Sequence, residues 1–193
     1  MSQVLTNKHK LPETWLEMMP RNLEIGSGGN PQPGYLHLER YVEGLDMDQY
    51  DVVADARSMP FPDEWFDSAL MFGVFEHLGF FEAEEALSEI SRVMKIGAIF
   101  KFDVPDFDWF VHAYISGKDE NGEPLRPERD EAWVLKSIFG GQDGPGMFHK
   151  WGWNERRMRE LLSNPSCGFS FFRLVGRQWR DPEHNHLIWE CVK

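Results

Sequence analysis

Glycines and carboxylates follow short apolar runs in the first half of the 193-residue chain. Residues 26–29, Gly-Ser-Gly-Gly, directly follow one such run, and glycines there allow a tight turn whose backbone N–H groups point outward to a ligand. Two later runs lead to acids, Glu39 and Asp55, which could accept hydrogen bonds from a ribose and from an amino group. Each is also common at a strand end or at the start of a turn, so only the whole set carries weight.

Three side chains near predicted strand ends could act as a general base. His77 comes just after a fourth apolar run, Asp106 follows a fifth, and His149 precedes a helix that Asn154 would cap. A base is needed where a reacting hydroxyl or protonated nitrogen must lose a proton, and it must reach that proton within hydrogen-bond distance. We treat His77, Asp106 and His149 as candidate catalytic residues, although His77 could equally orient a loop.

Lys101 and Asp103 lie two residues apart, on one face of a strand that should be buried on both faces. Two interpretations stay open at this point. One is a Lys–Asp ion pair covered by the segment that follows. The other is a catalytic or acceptor-binding Asp103, which joins the list of candidates.

Two histidines near the C-terminus, His184 and His186, could suggest a metal site together with Asp181 and Glu183. Histidines two apart on a strand share one face. The pattern is also that of a polar strand start at a sheet edge, which is the interpretation we favour. We therefore expect no metal.

Hydrophobic periodicity places these residues on alternating strands and helices. The clearest helix is residues 81–95, which carry a single apolar stripe and would end at Gly97. Further helices are predicted at residues 11–19 and after Asn154. Strands are predicted at residues 23–25, 35–39, 50–54, 66–72, 98–104, 169–175 and 187–192.

This order predicts an α/β fold with a doubly wound, Rossmann-like, mostly parallel sheet. The two closing strands have only a loop between them, which predicts an antiparallel pair at one edge. Only eight residues, 27–34, separate the first two strands, whereas a parallel crossover normally needs a dozen or more. We expect the first crossover helix to be missing or very short, with the N-terminal segment covering that face.

The chain length fits a single domain over residues 1–193. Residues 106–153 follow neither a strand nor a helix pattern and are rich in glycine, charge and aromatic rings. We interpret them as an insertion on the substrate side of the strand ends. Aromatic residues there, such as Trp109 and Trp151, could stack on a sugar or ring, but we favour a local core.

Bulk properties exclude several classes of function. The net charge of −12, without a block of basic residues, argues against a nucleic-acid partner. Cys167 and Cys191 cannot form a disulfide framework. We find neither a signal peptide nor an apolar run long enough for a membrane span. We expect a cytoplasmic protein, either a monomer or a homodimer.

Four motifs, taken in order, resemble a known family. They read LEIGSGGN at residues 23–30, DARSMPFPD at 55–63, FDSALMFGVFEH at 66–77 and SRVMKIGA at 91–98. Over residues 22–106 the chain resembles class I S-adenosylmethionine-dependent methyltransferases, most closely the type 11 branch, which acts largely on small molecules. It departs from the pattern at Asn30, where a third glycine is usual, and at Ile96, where proline is usual.

The resemblance implies S-adenosylmethionine as cofactor and assigns roles to individual residues. The roles, in chain order, are to bind the methionine end of the cofactor, its ribose and its adenine, to lie against the cofactor, and to face the region of cofactor and acceptor. The residues are Glu24, Gly26, Ser27 and Gly28 for the methionine end; Glu39 for the ribose; Asp55 and the backbone of Ala56 for the adenine; Phe72 against the cofactor; and Glu76 and His77 facing the cofactor and acceptor region.

The leading hypothesis is therefore methyl transfer to a small-molecule acceptor, such as a sugar, a lipid head group or a ring metabolite. One alternative is a non-catalytic module that keeps the fold and binds S-adenosylmethionine. The other is a nicotinamide-dependent oxidoreductase, which the missing third glycine and the short first connection oppose.

Overall fold

A single seven-stranded sheet organises the chain, of which the computed structural model describes residues 13–46, 48–177 and 185–193. The strands lie in the order β3-β2-β1-β4-β5-β7-β6. Neighbours from β3 to β5 are parallel, whereas β7 runs antiparallel to both β5 and β6. The predicted fold class, with its antiparallel edge, is confirmed. The strands are β1 (Asn22–Ile25), β2 (Leu36–Glu39), β3 (Val52–Val53), β4 (Phe66–Met71), β5 (Met94–Pro105), β6 (Phe171–Gly176) and β7 (His186–Val192).

Helices lie before, between and after the strands. They are α1 (Glu13–Met18), α2 (Phe80–Val93), α3 (Phe107–Ser116), α4 (Glu131–Phe139) and α5 (Glu155–Leu162), with 3-10 turns at Phe75–His77, Pro127–Arg129 and Pro165–Cys167. Among the described residues, no helix is long and apolar enough to cross a membrane.

The α2 helix is the only full helix between two parallel strands in the described part of the chain, and its apolar stripe explains its position. Ala83, Leu87 and Ile90 are fully buried against the sheet. The Glu82 side chain accepts the Gly79 N–H at 2.8 Å, which satisfies a free donor at the helix start. The predicted end at residue 95 is wrong, because Met94 is already extended and begins β5.

No helix forms between β1 and β2, where residues 26–35 make a loop. The first crossover helix is thus missing, as the short spacing predicts. The loop continues the ladder, since the Gly26 N–H donates to the Leu38 carbonyl at 2.8 Å. On this pair of strands Glu24 faces His37 across the register. The N-terminal helix α1 buries Leu16 in the main core.

The insertion contains two helices, α3 and α4, where the sequence indicated only irregular structure. Phe110 and Ala113 of α3 pack on Val134 of α4, with Trp109 and Trp133 at the edge. These residues form a small hydrophobic core separate from the main one. The favoured interpretation of the aromatic residues as a local core fits this packing.

Candidate functional site

A cavity of about 370 Å³ opens at the carboxyl ends of β1 to β4. That is the edge of an open α/β sheet where ligands bind. The loop of residues 144–147, from the insertion, lines its opposite wall. The lining residues are Ile25, Gly26, Gly28, Leu38, Glu39, Arg40, Tyr41, Glu43, Leu45, Ala54, Asp55, Ala56, Met71, Gly73, Val74, His77, Leu78, Gly144, Pro145, Gly146, Met147 and Lys150.

The glycine turn after β1 forms the floor of this cavity. Gly26 has a φ of +74°, and a Cβ added there would lie 2.3 Å from Cγ2 of Val74, so a larger residue cannot be accommodated without a shift. Gly28 has a φ of +56° and nothing within 4 Å of the position a Cβ would take. The backbone at Gly28 is therefore open to a ligand, as a cofactor-binding turn requires.

Glu39, at the end of β2, is tied to the glycine turn. Its Oε1 accepts hydrogen bonds from the Gly28 N–H at 2.5 Å and from the Ser27 hydroxyl at 3.3 Å. Burial raises the pKa of this carboxyl, and the two hydrogen bonds act in the opposite direction. Among the described residues Oε2 has no hydrogen-bond partner, which leaves it available to a ligand hydroxyl.

Asp55, after β3, lines the cavity and also stabilises a turn. Arg57 donates to both of its oxygens, from Nε at 2.9 Å and from Nη2 at 2.8 Å, and Arg40 lies 3.1 Å from Oδ2. The Arg57 hydrogen bonds are the main cause that holds the pKa of Asp55 below its usual value. A ligand amino group would share this carboxylate with two guanidinium groups. Ala56 follows Asp55 along the same wall.

Two histidines and one buried glutamate meet beside the cavity, where His77 lines it. Glu76 and His77 belong to the 3-10 turn after β4, and His149 lies in the segment before α5. The rings of His77 and His149 are 4.9 Å apart, edge to face. His77 Nδ1 lies 3.0 Å from the Phe148 carbonyl, and His149 Nε2 lies 4.0 Å from Glu76 Oε1.

Burial dominates the electrostatics of this group. It raises the pKa of Glu76 to about 8, with the nearby Asp103 acting in the same direction. Burial also lowers the pKa of His149 to about 4, with a further contribution from His77. The pKa of His77 itself is lowered by burial, against a hydrogen bond to Phe148. Both shifts favour the neutral form of the imidazole, which is the form that binds a ligand through a ring nitrogen.

Asp103 does not reach the cavity, because it is fully buried within the sheet. Its Oδ1 accepts the Gly73 N–H and its Oδ2 binds His186 Nδ1, both at 2.7 Å. Lys101 pairs with Glu190 instead, at 3.5 Å, so the Lys101–Asp103 ion pair is wrong. The role that the structure gives Asp103 is to hold the turn after β4 against β7.

Asp106 is not among the residues that line this cavity. It precedes α3, where the chain turns away from the sheet, and its Oδ2 pairs with Arg177 at 3.0 Å. It lines a separate cavity with Trp109 and Glu120. The candidate bases are therefore not brought together: His77 and His149 meet, whereas Asp103 and Asp106 do not join them. Of the residues considered for a metal, Asp181, Glu183 and His184 lie outside the described residues.

Comparisons with known proteins bear on this geometry. A family model described as a methyltransferase domain matches residues 23–102, which carry β1 to most of β5. No curated protein matches the chain. A methyltransferase from Thermotoga maritima described as S-adenosylmethionine-dependent has a similar structure, with 19% identity and a TM-score of 0.58, covering 95% of this chain and 83% of that one.

Residues 23–102 carry a methyltransferase domain, consistent with the type 11 branch of class I S-adenosylmethionine-dependent methyltransferases. The resemblance and the cofactor expected from the four motifs are thereby confirmed. A methyltransferase from Haloferax volcanii, solved with the activator Trm112, shares 15% identity at a TM-score of 0.54 and covers 93% and 86% of the two chains. A Haemonchus contortus phosphoethanolamine N-methyltransferase bound to S-adenosylhomocysteine shares 12% sequence identity with this chain. Its TM-score is 0.51, and the match covers 91% of this chain and 49% of that one.

Three residues assigned to the methyltransferase cofactor by resemblance lie outside the cavity lining. Glu24 faces away from it and accepts from the Gln32 N–H at 2.7 Å and from His37 Nδ1 at 3.0 Å. Ser27 turns its hydroxyl to Glu39. Phe72 lies between two lining residues but does not line the cavity itself.

Several residues of the methyltransferase cavity were missed by the sequence analysis. Gly146 has a φ of +81°, and a Cβ there would lie 2.5 Å from the Tyr41 ring, so Tyr41 packs directly on the turn. Lys150 pairs with Glu82 at 2.8 Å and holds this segment over the cavity. The Gly-Pro-Gly run of residues 144–146 was the one available signal for a tight turn here.

Proposed function

We propose that this methyltransferase transfers a methyl group to a small-molecule acceptor that binds between the glycine turn and the loop of residues 144–147. The observation that carries the proposal is the lining of one cavity. The strand ends line it together with His77 and with residues 144–147 of the insertion. When bound, S-adenosylmethionine supplies an electrophilic methyl group for in-line displacement. The chain's own residues must bind the cofactor and the acceptor, orient them towards each other and exclude water.

The cofactor side of the cavity offers matching polar groups. The open backbone at Gly28 and the Glu39 Oε2 oxygen face a ligand that carries hydroxyls, as a ribose does. Asp55 and the neighbouring Ala56 backbone suit an adenine edge. Glu24, Ser27 and Phe72 would act indirectly, by fixing the loop and the strand end.

The acceptor side offers His77 as the group that orients the acceptor or takes its proton. His77 lines the cavity, and its Nδ1 donates to the Phe148 carbonyl because a carbonyl oxygen only accepts. In the neutral ring Nε2 then carries the lone pair. His149 lines a small pocket beside this one, and neither Asp103 nor Asp106 is among the residues that line the cavity. The acceptor is a small molecule because the cavity must also hold the cofactor.

Calorimetry with S-adenosylmethionine and S-adenosylhomocysteine tests the proposal. Glu39→Gln should weaken binding about tenfold, since it removes a charged acceptor from a ribose hydroxyl. Glu131→Gln, at an exposed position on α4, is the matched control and should leave the affinity unchanged. Absence of binding to either ligand would overturn the proposal.

Release of S-adenosylhomocysteine across a panel of sugars, head groups and ring metabolites then identifies the acceptor. His77→Ala should lower kcat while S-adenosylmethionine affinity stays within about twofold, because His77 faces the acceptor. Cofactor binding without turnover on any acceptor would favour the non-catalytic module.

A further inference from the structure

The cluster of Glu76, His77 and His149 has a composition that the methyl-transfer chemistry does not require. Each side chain offers one ligating atom, and these atoms all lie within 4.8 Å of one another. Two residues are consecutive in the 3-10 turn, and the third is brought to them from the insertion. Packing on its own would favour apolar side chains at the meeting of three segments.

Glu76 is the member whose environment is least satisfied. It is only 4% exposed, and its Oε2 has no hydrogen-bond partner. Its Oε1 lies 4.0 Å from His149 Nε2, which is too long for a hydrogen bond. A buried carboxyl oxygen without a partner costs about 1–3 kcal/mol, so the fold retains this polar atom at a net cost. A bound cation would give Oε2 a partner.

One of the two histidines, His77, is oriented as a metal ligand usually is. His77 Nδ1 donates to the Phe148 carbonyl, which fixes the tautomer and directs the lone pair to Nε2. Ligating histidines in proteins commonly use a backbone carbonyl in this way. Phe148 adjoins His149, so one segment supplies the second histidine and orients the first.

We propose that Glu76, His77 and His149 bind one divalent transition-metal ion, of the Zn²⁺ or Fe²⁺ type. Two imidazoles and one carboxylate form a ligand set that both ions use, with positions left open for a further ligand. Ligand atoms at about 2.1 Å from a tetrahedral ion lie about 3.4 Å from one another. The 4.0 Å between His149 Nε2 and Glu76 Oε1, and separations of up to 4.8 Å within the cluster, close when each side chain shifts by under about an ångström.

The placement of the cluster connects this ion to the proposed function, on which the next step rests. His77 lines the cofactor cavity, whereas Glu76 and His149 line a small pocket behind it. The ion would thus sit in the wall with its open positions towards the acceptor. A coordinated acceptor hydroxyl would lose its proton to solvent, its oxygen would bond to the methyl carbon, and the electrons of the broken carbon–sulfur bond would stay on sulfur. The acceptor class is therefore a hydroxylated molecule.

A second histidine–carboxylate contact in the described part of the chain shows what a purely structural contact looks like. His186 and Asp103 bind each other at 2.7 Å, and the other Asp103 oxygen holds Gly73. Each Asp103 oxygen there has a partner at hydrogen-bond distance. At Glu76, by contrast, Oε1 lies 4.0 Å from His149 Nε2. We therefore place the ion in the cluster of Glu76, His77 and His149.

Titration of EDTA-treated protein with Co²⁺ tests the metal site, because Co²⁺ gives visible absorption bands in sites of this kind. We expect one Co²⁺ per chain, displaced by Zn²⁺ but not by Mg²⁺. Glu76→Gln and His149→Ala should weaken binding at least tenfold. His112→Ala, an exposed histidine of α3, is the matched control and should bind as the wild type does.

Absence of the bands, or bands that persist in both cluster variants, would overturn the metal site. If either variant fails to fold, paramagnetically shifted ring resonances from two histidines in wild-type protein decide the matter, and their absence counts against it. Calorimetry with S-adenosylmethionine separates the two proposals. Cofactor binding without Co²⁺ binding removes only the metal, whereas Co²⁺ binding without cofactor binding removes the proposed function.

Discussion

Two buried carboxylates close to each other, Asp103 and Glu76, are treated in opposite ways by the fold. Both oxygens of Asp103 have partners at 2.7 Å, one from the backbone and one from His186. Glu76 has one oxygen without a partner and the other at 4.0 Å from the nearest imidazole. A satisfied buried carboxylate stabilises a structure, whereas an unsatisfied one destabilises it and persists where a ligand completes its environment. The contrast supports a structural role for Asp103 and the proposed ligand-binding role for Glu76.

Replacing the satisfied carboxylate should have the largest effect. Asp103→Ala removes the acceptor of the buried Gly73 N–H and the 2.7 Å contact to His186, and we expect a loss of about 3–5 kcal/mol in the free energy of unfolding. Urea denaturation followed by circular dichroism measures it. Lys101→Ala, on the same strand but in a half-exposed ion pair, should cost under about 1 kcal/mol. Equal losses in the two variants would contradict the structural role of Asp103.

Replacing the unsatisfied carboxylate should change the free energy of unfolding in the opposite direction. In metal-free protein, Glu76→Gln is expected to raise the free energy of unfolding at pH 7 by about 1–2 kcal/mol. The folded-state pKa is raised from 4.5 to about 8, so this carboxyl's contribution is complete below 4.5 and is lost as the pH rises towards 8. The advantage of the variant should thus grow across that range. Glu64→Gln, at a position with an exposed side chain, serves as control and should show no such trend.

Replacing Asp55 should have the smallest effect on the free energy of unfolding among the three carboxylates. Its pKa is lowered by Arg57, so its stabilising contribution is complete above 3.8 and is lost as the pH falls through the lowered folded-state pKa. The free energy of unfolding of the wild type should exceed that of Asp55→Asn by on the order of 1 kcal/mol at pH 7. The difference should shrink in acid, the reverse of the trend at Glu76. A difference that stays constant to pH 2.5 would show that Arg57 does not hold this carboxylate.

The cofactor half of the molecule was readable from the sequence because its signals are local. Glycines directly after an apolar run, and acids at the ends of the next two, place Gly26, Glu39 and Asp55 at one sheet edge through chain direction alone. The missing crossover helix followed from a residue count. Glu24 shows the limit, because its motif position was right but its side chain faces His37.

The acceptor half was less readable because it depends on where distant segments dock. Asp106 was assigned to the site from its position after β5, yet the turn into α3 points it to Arg177. Tyr41 and Lys150 line the cavity through contacts with residues more than 60 positions away, at Gly146 and Glu82, which no local pattern encodes. Helices α3 and α4 were missed since their buried surface is a core of three residues.

The loop that replaces a helix after β1 has a consequence for ligand charge. In dinucleotide-binding relatives of this sheet, a helix begins at the glycine turn, and the positive end of its dipole compensates a pyrophosphate. Residues 26–35 form no helix, so that compensation is missing from the described chain at this point. Instead, the turn is held by the carboxylate of Glu39. The floor of the cavity is electrostatically suited to a cationic sulfonium and poorly suited to a phosphorylated nucleotide.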